Sequence, residues 1–358
     1  MPERMTIRSH RGDYAVIEEP SVAAAALRLL ALPQSLVLLV DERVARLHAS
    51  SLAPLFARAE PHLIEATEDQ KSLARMEDHV EGVMRRGARR DHVLVAIGGG
   101  ILQDLTCFLA STLFRGMAWE LVPTTLLAQA DSAIGSKSSI NVGRYKNLMG
   151  TFLPPRRILV APAFLDTLDG DALRSGIGEI LKVHALAGPA ELDAVAGEDL
   201  RADRAALTRA IWRALAIKQR YIEADEFDRG VRNVLNYGHS FGHAIESATD
   251  FAVPHGIAVT LGMDLANHVS AWRGELPADR RDRMRGPLLA NAGRFAGTPV
   301  PLDRFFAALG RDKKNEGARL AFILLDEHGA ARKLLVDDTP ELRATCAAYF
   351  AANGAQAP

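Results

Sequence analysis

HVLVAIGGGILQD, His92 to Asp104, decides how the first half of this chain is read. A run of buried-strand type ends in three glycines, Gly98, Gly99 and Gly100, and a helix-like stretch follows. A backbone without side chains at a strand-to-helix turn lets an anion approach closely. The helix behind it offers unpaired N–H groups and the positive end of its dipole. GGGxxxD alone is equally compatible with a plain tight turn. Asp41, just past SLVLLV at 35–40, stands where an acidic side chain can hydrogen-bond a ribose hydroxyl; its plainer reading is a solvated strand end. Together the two features point to a dinucleotide site, although the pattern is not the usual GxGxxG fingerprint.

Outward from this turn, SLVLLV at 35–40, ELVP at 120–123 and RRILVAP at 156–162 read as further strands, alternating with helix-like stretches. This is the pattern of parallel strands with crossover helices. From about Asp166 the pattern changes. SGIGEILKVHAL, RAALTRAIWRALAIKQRYIEADE and NYGHSFGHAIESAT carry apolar residues at helical spacing, and strand signals nearly vanish until LAFILL at 320–325. The expectation is an α/β domain over residues 1–165 followed by a mainly α-helical domain over 166–358.

The chain has 358 residues, 48% hydrophobic and 24% charged, with a formal charge of -1. That balance provides no overall field for nucleic acid or an anionic membrane and favours a small ligand held by locally placed charges. Cys107 and Cys346 form no CxxC pattern and read as core thiols. No run approaches the roughly 18 apolar residues of a membrane span, and MPERMTIRSH lacks the apolar segment of a secretory signal, so the cytoplasm is expected.

Val122 to Asn147, VPTTLLAQADSAIGSKSSINVGRYKN, gathers Thr124, Thr125, Asp131, Lys137, Lys146 and Asn147, a set suited to nucleotide hydroxyls and a phosphorylated substrate. A Ser- and Gly-rich surface loop is the bland alternative. In the second half, Glu179 and Lys182 lie one turn apart on an otherwise apolar helix, which implies a partly buried carboxylate. Downstream come Lys218, Arg232, Asn236, His239, His243 and His255. Three histidines and a glutamate in one helical domain fit a zinc-type site with an open position. On spacing alone, His239 and His243 at i and i+4 are the natural helical pair.

These motifs resemble the sugar phosphate cyclases, and within them the 3-dehydroquinate synthases. The resemblance runs collinearly from about Asp41 to Lys314 through EDQKS at 68–72, GGGILQD at 98–104, PTTLLAQADSAIGSK at 123–137, KN at 146–147, LRSGIGEILK at 173–182, DEFDRGVRNVLNYGHSFGHAIE at 225–246, HGIAVTLGM at 255–263 and RDKK at 311–314. It implies a Rossmann-like NAD-binding domain, a helical metal-binding domain, an active site in the cleft between them, and a homodimer. By position it assigns Asp41, Glu68, Lys71, Gly99, Gly100, Ile101 and Asp104 to NAD, with Thr124, Thr125, Asp131 and Ser132. Lys146, Asn147, Phe164, Thr167 and Leu168 complete that set. Glu179, His239 and His255 would bind zinc, with cobalt as an alternative.

The resemblance thereby reassigns His243 from the metal to the substrate phosphate, beside Lys137, Asn147, Asn236 and a lysine of the pair Lys313 and Lys314. Arg115 would reach the phosphate in the neighbouring subunit. Lys218 and Arg232 would grip a substrate carboxylate, and Lys182 and Asp131 would contact its hydroxyls. The implied reaction is cyclisation of 3-deoxy-D-arabino-heptulosonate 7-phosphate to 3-dehydroquinate with loss of phosphate and no net consumption of NAD.

Three positions depart from the usual pattern: VGRYKN replaces a Pro-containing turn, Ser136 stands for a glycine before Lys137, and Ile257 stands where HGE is common. Valiolone-type relatives usually lose the second histidine of GHxxGH, and deoxyinosose synthases the arginine equivalent to Arg232. Both are present here, and a guanidinium suits bidentate carboxylate binding. An analogue-specific cyclase, a glycerol dehydrogenase-like metal oxidoreductase and a silent binding protein are the rival readings.

Overall fold

The computed structural model describes residues 3–143, 145–312 and 314–354, so Lys313 lies outside the described residues. The chain divides into two compact units. The first comprises Met1–Asp169 with Gln219–Phe227, the second Gly170–Lys218 with Asp228–Pro358.

The first unit is built on β1 (Arg4–Ile7), β2 (Tyr14–Glu18), β3 (Leu36–Asp41), β4 (His62–Ile64), β5 (Val93–Gly98), β6 (Ala118–Pro123), β7 (Lys137–Val142), β8 (Tyr145–Phe152) and β9 (Arg157–Val160). Seven of these form one sheet in the order β1-β2-β9-β6-β5-β3-β4. All its pairings are parallel except β1 with β2. β3, β5 and β9 are continuous Val, Leu and Ile runs because a parallel sheet is covered on both faces. Leu38, Val40, Val95, Ile97 and Leu159 are fully buried on one of those faces, against the helices Val22–Leu30 and Ala49–Arg58. β7 and β8 stand apart as an antiparallel hairpin. The polar segment after β6, whose bland reading is a surface loop, is thus a π-helical turn, Ala128–Ser132, followed by this hairpin.

Gln219–Phe227 is tied to the first unit by its own polar groups. Gln219 donates to the Thr6 carbonyl at 2.8 Å, and Arg8 pairs with Glu223 at 2.7 Å.

The second unit is mainly helical, with helices Gly170–Ala187, Arg204–Ala224 in its first part, His239–Ala248, His255–Trp272 and Ala278–Ala292. Its single hairpin among the described residues pairs β10 (Arg319–Leu325) with β11 (Ala331–Asp337). Phe322 of β10 stacks on Phe241 at 4.4 Å, and Ser240 donates to the Ala321 carbonyl at 3.0 Å. Those two contacts fix the helix that carries His239 and His243. Among the described residues no helix is long and apolar enough to cross a membrane.

Candidate active-site residues in each unit

In the first unit the glycine turn forms as read: β5 ends at Gly98 and the next helix begins at Gly100. That helix has no side-chain cap at Gly99, so its leading N–H groups face the turn as an anion-binding end. A methyl group on Gly99 would come within 2.9 Å of Thr125 Cγ2, whereas the nearest atom to one on Gly100 is Ser132 Oγ at 3.9 Å. A side chain at Gly99 would displace that of Thr125, and the space at Gly100 is open to a ligand.

Below the turn, residues far apart in sequence meet in one hydrogen-bond network. Lys71 Nζ lies 2.7 Å from Asp104 Oδ2 and 3.8 Å from Glu68. Asp104 also accepts from the Ser139 amide at 3.1 Å, and Asn141 donates to Glu68 Oε1 at 2.8 Å. Asn147 accepts from Ser139 Oγ at 2.8 Å while its own amide donates to Asn141. Burial pushes the Asp104 carboxyl up, opposed by the adjacent Lys71. Ser132 is held by Gln103, 2.8 Å away.

Asp41 caps the helix after β3, accepting from the Arg43 amide at 2.8 Å and that of Val44 at 3.4 Å. Thr124 is buried beside the turn, its amide donating to the Gly98 carbonyl. Asp131 lies in the π-helical turn and Ile101 in the first turn of the helix after Gly99. Phe164 is a core residue edge-on to His48, and Thr167 Oγ1 is 3.0 Å from the same imidazole; Leu168 follows directly. Lys137 and Lys146 are exposed on the β7–β8 hairpin. Arg115 is exposed in a turn of positive φ.

In the second unit Glu179 is 1% exposed at the centre of a charged cluster. One oxygen, Oε2, lies 2.5 Å from Lys182 Nζ, while Oε1 lies 3.4 Å from His255 Nε2 and 3.8 Å from His239 Nε2. Both imidazoles are oriented from behind. His239 Nδ1 is 3.2 Å from the Tyr237 carbonyl, and His255 Nδ1 is 3.1 Å from Glu246 Oε2. Each of those oxygens accepts, so Nδ1 carries a proton in both rings; Nε2 of the neutral His239 presents its lone pair, while Nε2 of His255 carries a second proton that it donates to Glu179 and that a metal would displace.

A divalent ion fits this donor set. Two ligands each about 2.1 Å from an ion at the tetrahedral angle stand about 3.4 Å apart, matching the separation of Glu179 and His255. The charge balance also asks for a cation. Burial opposes charge on His255, yet its hydrogen bonds to Glu179 and Glu246 outweigh that and raise its pKa to about 10. The pair of carboxylates therefore collects a proton where a metal would otherwise sit. Burial would raise the Glu179 carboxyl, but Lys182 and His255 hold it well below its ordinary range. His239 is driven well below the ordinary imidazole value by burial and then by the Lys182 charge, as a neutral ligand requires.

His243 is close by. Its ring centroid lies 5.4 Å from that of His239 and 5.6 Å from that of His255, and one nitrogen from each of the three rings falls within 4.8 Å of the others. It differs in being exposed, and the charges of His255, Lys314 and Glu246 act on it more strongly than that of Glu179. Lys314 contributes to lowering His239 and His243, which places its charge beside them. Asn236 immediately precedes this group, donating to the Asn233 carbonyl at 3.1 Å. Lys218 and Arg232 are both buried in this unit, each 6% exposed.

Glycines make the convergence possible. A Cβ on Gly178 would stand 2.5 Å from Thr260 Oγ1, one on Gly256 2.6 Å from the Ser175 carbonyl carbon, and one on Gly262 2.7 Å from the Gly242 amide. The helix His255–Trp272 therefore lies backbone to backbone against the helices carrying Glu179 and His239. Ser175 Oγ takes the Gly256 N–H at 2.8 Å, serving the N-terminus of a helix that has no side-chain cap of its own.

Family models describe the two parts of the chain in turn: 3-dehydroquinate synthase N-terminal over residues 62–175 and 3-dehydroquinate synthase C-terminal over 176–315. The chain belongs to the 3-dehydroquinate synthase family. It is 34% identical over 347 residues to a 3-dehydroquinate synthase of Streptococcus pneumoniae, spanning 92% of this chain and 96% of that one. It is 37% identical over 300 residues to one from Exiguobacterium, spanning 80% and 82%. Among solved structures it is similar to a 2-epi-5-epi-valiolone synthase from Streptomyces hygroscopicus with NAD+ and Zn2+ bound, at 29% identity and TM-score 0.79, covering 95% of this chain and 96% of that chain. A 2-deoxy-scyllo-inosose synthase at 22% identity and TM-score 0.82 shares the fold, covering 96% and 99%.

Family membership agrees with the resemblance read from the motifs. Reading by residue type missed Glu246, Ser139 and Asn141. Glu246 is seven residues after His239 on the same helix face, a spacing that ties it to the cluster. Ser139 and Asn141 share a strand face with Lys137, a period of two that is invisible once the segment is taken for a loop.

Proposed function

We propose that this chain is a 3-dehydroquinate synthase that cyclises 3-deoxy-D-arabino-heptulosonate 7-phosphate with elimination of phosphate. The observation that carries the reading is the buried Glu179 faced by two imidazoles of fixed orientation, in a chain of this family that also buries Lys218 and Arg232. Glu179, His239 and His255 would hold a zinc ion, with cobalt an alternative. Glu68, Lys71, Asp104 and the Gly99–Gly100 turn would hold NAD, with Thr124, Thr125, Ser132 and Lys146 along its length. When bound, the metal lowers the pKa of a substrate hydroxyl, and NAD takes a hydride and later returns it.

The remaining work falls to the side chains. Arg232 offers a planar fork and Lys218 a point charge to the substrate carboxylate. Lys137, Asn147, Asn236, His243 and Lys314 supply donors to the phosphate and stabilise the charge that develops as it leaves. Lys182, already 2.5 Å from Glu179, would reach a substrate hydroxyl beside the metal, and Asp131 a second. A tightly oriented ring-opened intermediate then closes on its own carbonyl with little entropic cost. We infer further that the enzyme works in the cytoplasm as a homodimer in which Arg115 reaches the phosphate of the neighbouring subunit.

The test is phosphate release by purified protein supplied with NAD, zinc and 3-deoxy-D-arabino-heptulosonate 7-phosphate, with conversion of the product by dehydroquinate dehydratase. Dehydroquinate formed without net NADH supports the reading. Stoichiometric NADH would favour an oxidoreductase. No turnover on this substrate but phosphate release from sedoheptulose 7-phosphate would move the assignment to a valiolone-type cyclase.

A further inference from the structure

Ser136 stands immediately before Lys137, where the family resemblance leads one to expect glycine. Its backbone is left-handed, with φ +60, and follows Gly135 at φ +116. Glycine adopts such a conformation freely, whereas a residue with a Cβ is strained there and keeps it only when its surroundings impose it. Those surroundings are visible. Ser136 is 6% exposed, and its hydroxyl donates to Glu226 Oε1 at 2.7 Å. Its carbonyl accepts from the Leu153 amide at 2.8 Å, and the preceding Gly135 amide donates to the Tyr14 hydroxyl at 3.1 Å.

Glu226 is itself fixed. It accepts from Ser9 Oγ at 2.5 Å and from the His10 amide at 2.8 Å, and His10 Nδ1 lies 3.0 Å away. Burial would raise this carboxyl, but the Ser9 and Ser136 hydroxyls lead a set of donors that keeps it below its ordinary range, so it is an ionised acceptor. The β1–β2 turn, the segment Gln219–Phe227 and the start of β7 are thereby joined through one carboxylate. Lys137 opens β7 directly after the strained residue, opposite Phe152 of β8.

We propose that Ser136 is a positioning residue for Lys137: its hydroxyl bond to Glu226 holds the left-handed backbone that directs the lysine to the substrate phosphate. This rests on the reading of Lys137 as a phosphate ligand. Ser136→Ala keeps the strained Cβ and deletes the bond, Ser136→Gly removes strain and bond together, and Glu226→Ala removes the acceptor.

The assay is steady-state turnover of the zinc- and NAD-loaded enzyme, with inorganic phosphate as a competing probe. Zinc content and melting temperature are measured alongside. Ser136→Ala should raise the KM for the phosphorylated substrate and the inhibition constant of phosphate about tenfold, equivalent to about 1.4 kcal/mol, and lower kcat because the departing phosphate loses a placed donor, with zinc content nearly unchanged. Ser136→Gly should recover part of that loss, and Ser136→Ala in the Glu226→Ala background should add nothing. Unchanged KM and phosphate inhibition in Ser136→Ala, beside an impaired Lys137→Met, would overturn the positioning role alone. A Lys137→Met enzyme with normal KM and phosphate inhibition would remove the underlying reading and the inference with it. Equal loss of kcat, zinc and phosphate binding in Ser136→Ala would show a merely structural role and also overturn it.

Discussion

Replacing Gly178 with alanine tests whether close backbone packing builds the proposed metal centre. Gly178 precedes Glu179, and a Cβ placed there would stand 2.5 Å from Thr260 Oγ1, 2.9 Å from the Gly256 carbonyl carbon and closer still to the Gly256 oxygen. Ordinary contact needs about 3.5 Å, so the two helices must part by about 1 Å. Neither can give way cheaply: Thr260 is fully buried, its hydroxyl bonded to the Gly256 carbonyl at 2.7 Å and to Asn291 at 3.0 Å. Overpacking of this kind costs about 1–3 kcal/mol, which at about 2–4 °C per kcal/mol for a unit of this size lowers the melting temperature by about 2–12 °C. The same displacement widens the 3.4 Å separation of Glu179 and His255 beyond what two ligands of one ion tolerate, so zinc affinity should fall about 10- to 100-fold.

Gly310→Ala is the control. It ends the helix Leu302–Gly310 with nothing near the added carbon, and should leave stability unchanged or raise it by up to about 1 kcal/mol through helix propensity. Both quantities can be read by melting metal-free and zinc-loaded protein and by competition with a zinc chelator. A Gly178→Ala protein that melts with the wild type and binds zinc equally would refute the claim that these glycines set the ligand spacing.

Three further outcomes follow from single contacts. His239→Ala should abolish zinc retention while His243→Ala keeps close to one zinc per chain by elemental analysis; equal loss in both would make His243 a ligand. Asp104→Ala leaves Lys71, whose side chain is 8% exposed, with the more distant Glu68 at 3.8 Å, and should cost about 2–4 kcal/mol in denaturant unfolding and weaken NAD binding, whereas removing both charges together should cost less; equal costs for the single and paired variants would refute the pairing. His62 and His79 lie 3.2 Å apart; burial, together for His62 with the neighbouring positive groups, lowers both, His62 to about 4. Above the unfolded pKa of 6.5 neither state is charged there and nothing is lost. As the pH falls from 6.5 towards 4 the unfolded chain binds protons that the folded one refuses, so stability should drop by up to about 2 kcal/mol after allowance for partial exposure, and a melting profile as steep in the His62→Asn/His79→Gln variant would refute it.

How far the fold could be read in advance depended on how much each element buries. β3, β5, β6, β9 and β10 announce themselves because they are buried along most of their length, which demands mainly apolar runs rich in Val, Leu and Ile. β1, β2, β4 and β11 are short or half-exposed, and β7 and β8 are polar on the face that carries Lys137, Ser139 and Asn141, so their composition is that of a loop. Tertiary contacts, not local propensity, make them strands. The proposed metal ligands show a different limit. Spacing on one helix pairs His239 with His243 because i and i+4 face the same way, but the partners of His239 at Glu179 come from His255, on another helix, and from the helix of Glu179 itself. Local periodicity carries no information about which neighbouring helix approaches. A trace of that approach was nonetheless present. Glycine inside a helix costs about 1 kcal/mol relative to alanine, and Gly178, Gly242, Gly256 and Gly262 all accept that cost in helices that otherwise favour burial. A cost repeated at four positions on three helices is explained by contact between their backbones, where any side chain would collide. The glycines therefore identify the helix neighbours that the histidine spacing leaves open, and with them the carboxylate and second imidazole that complete the donor set.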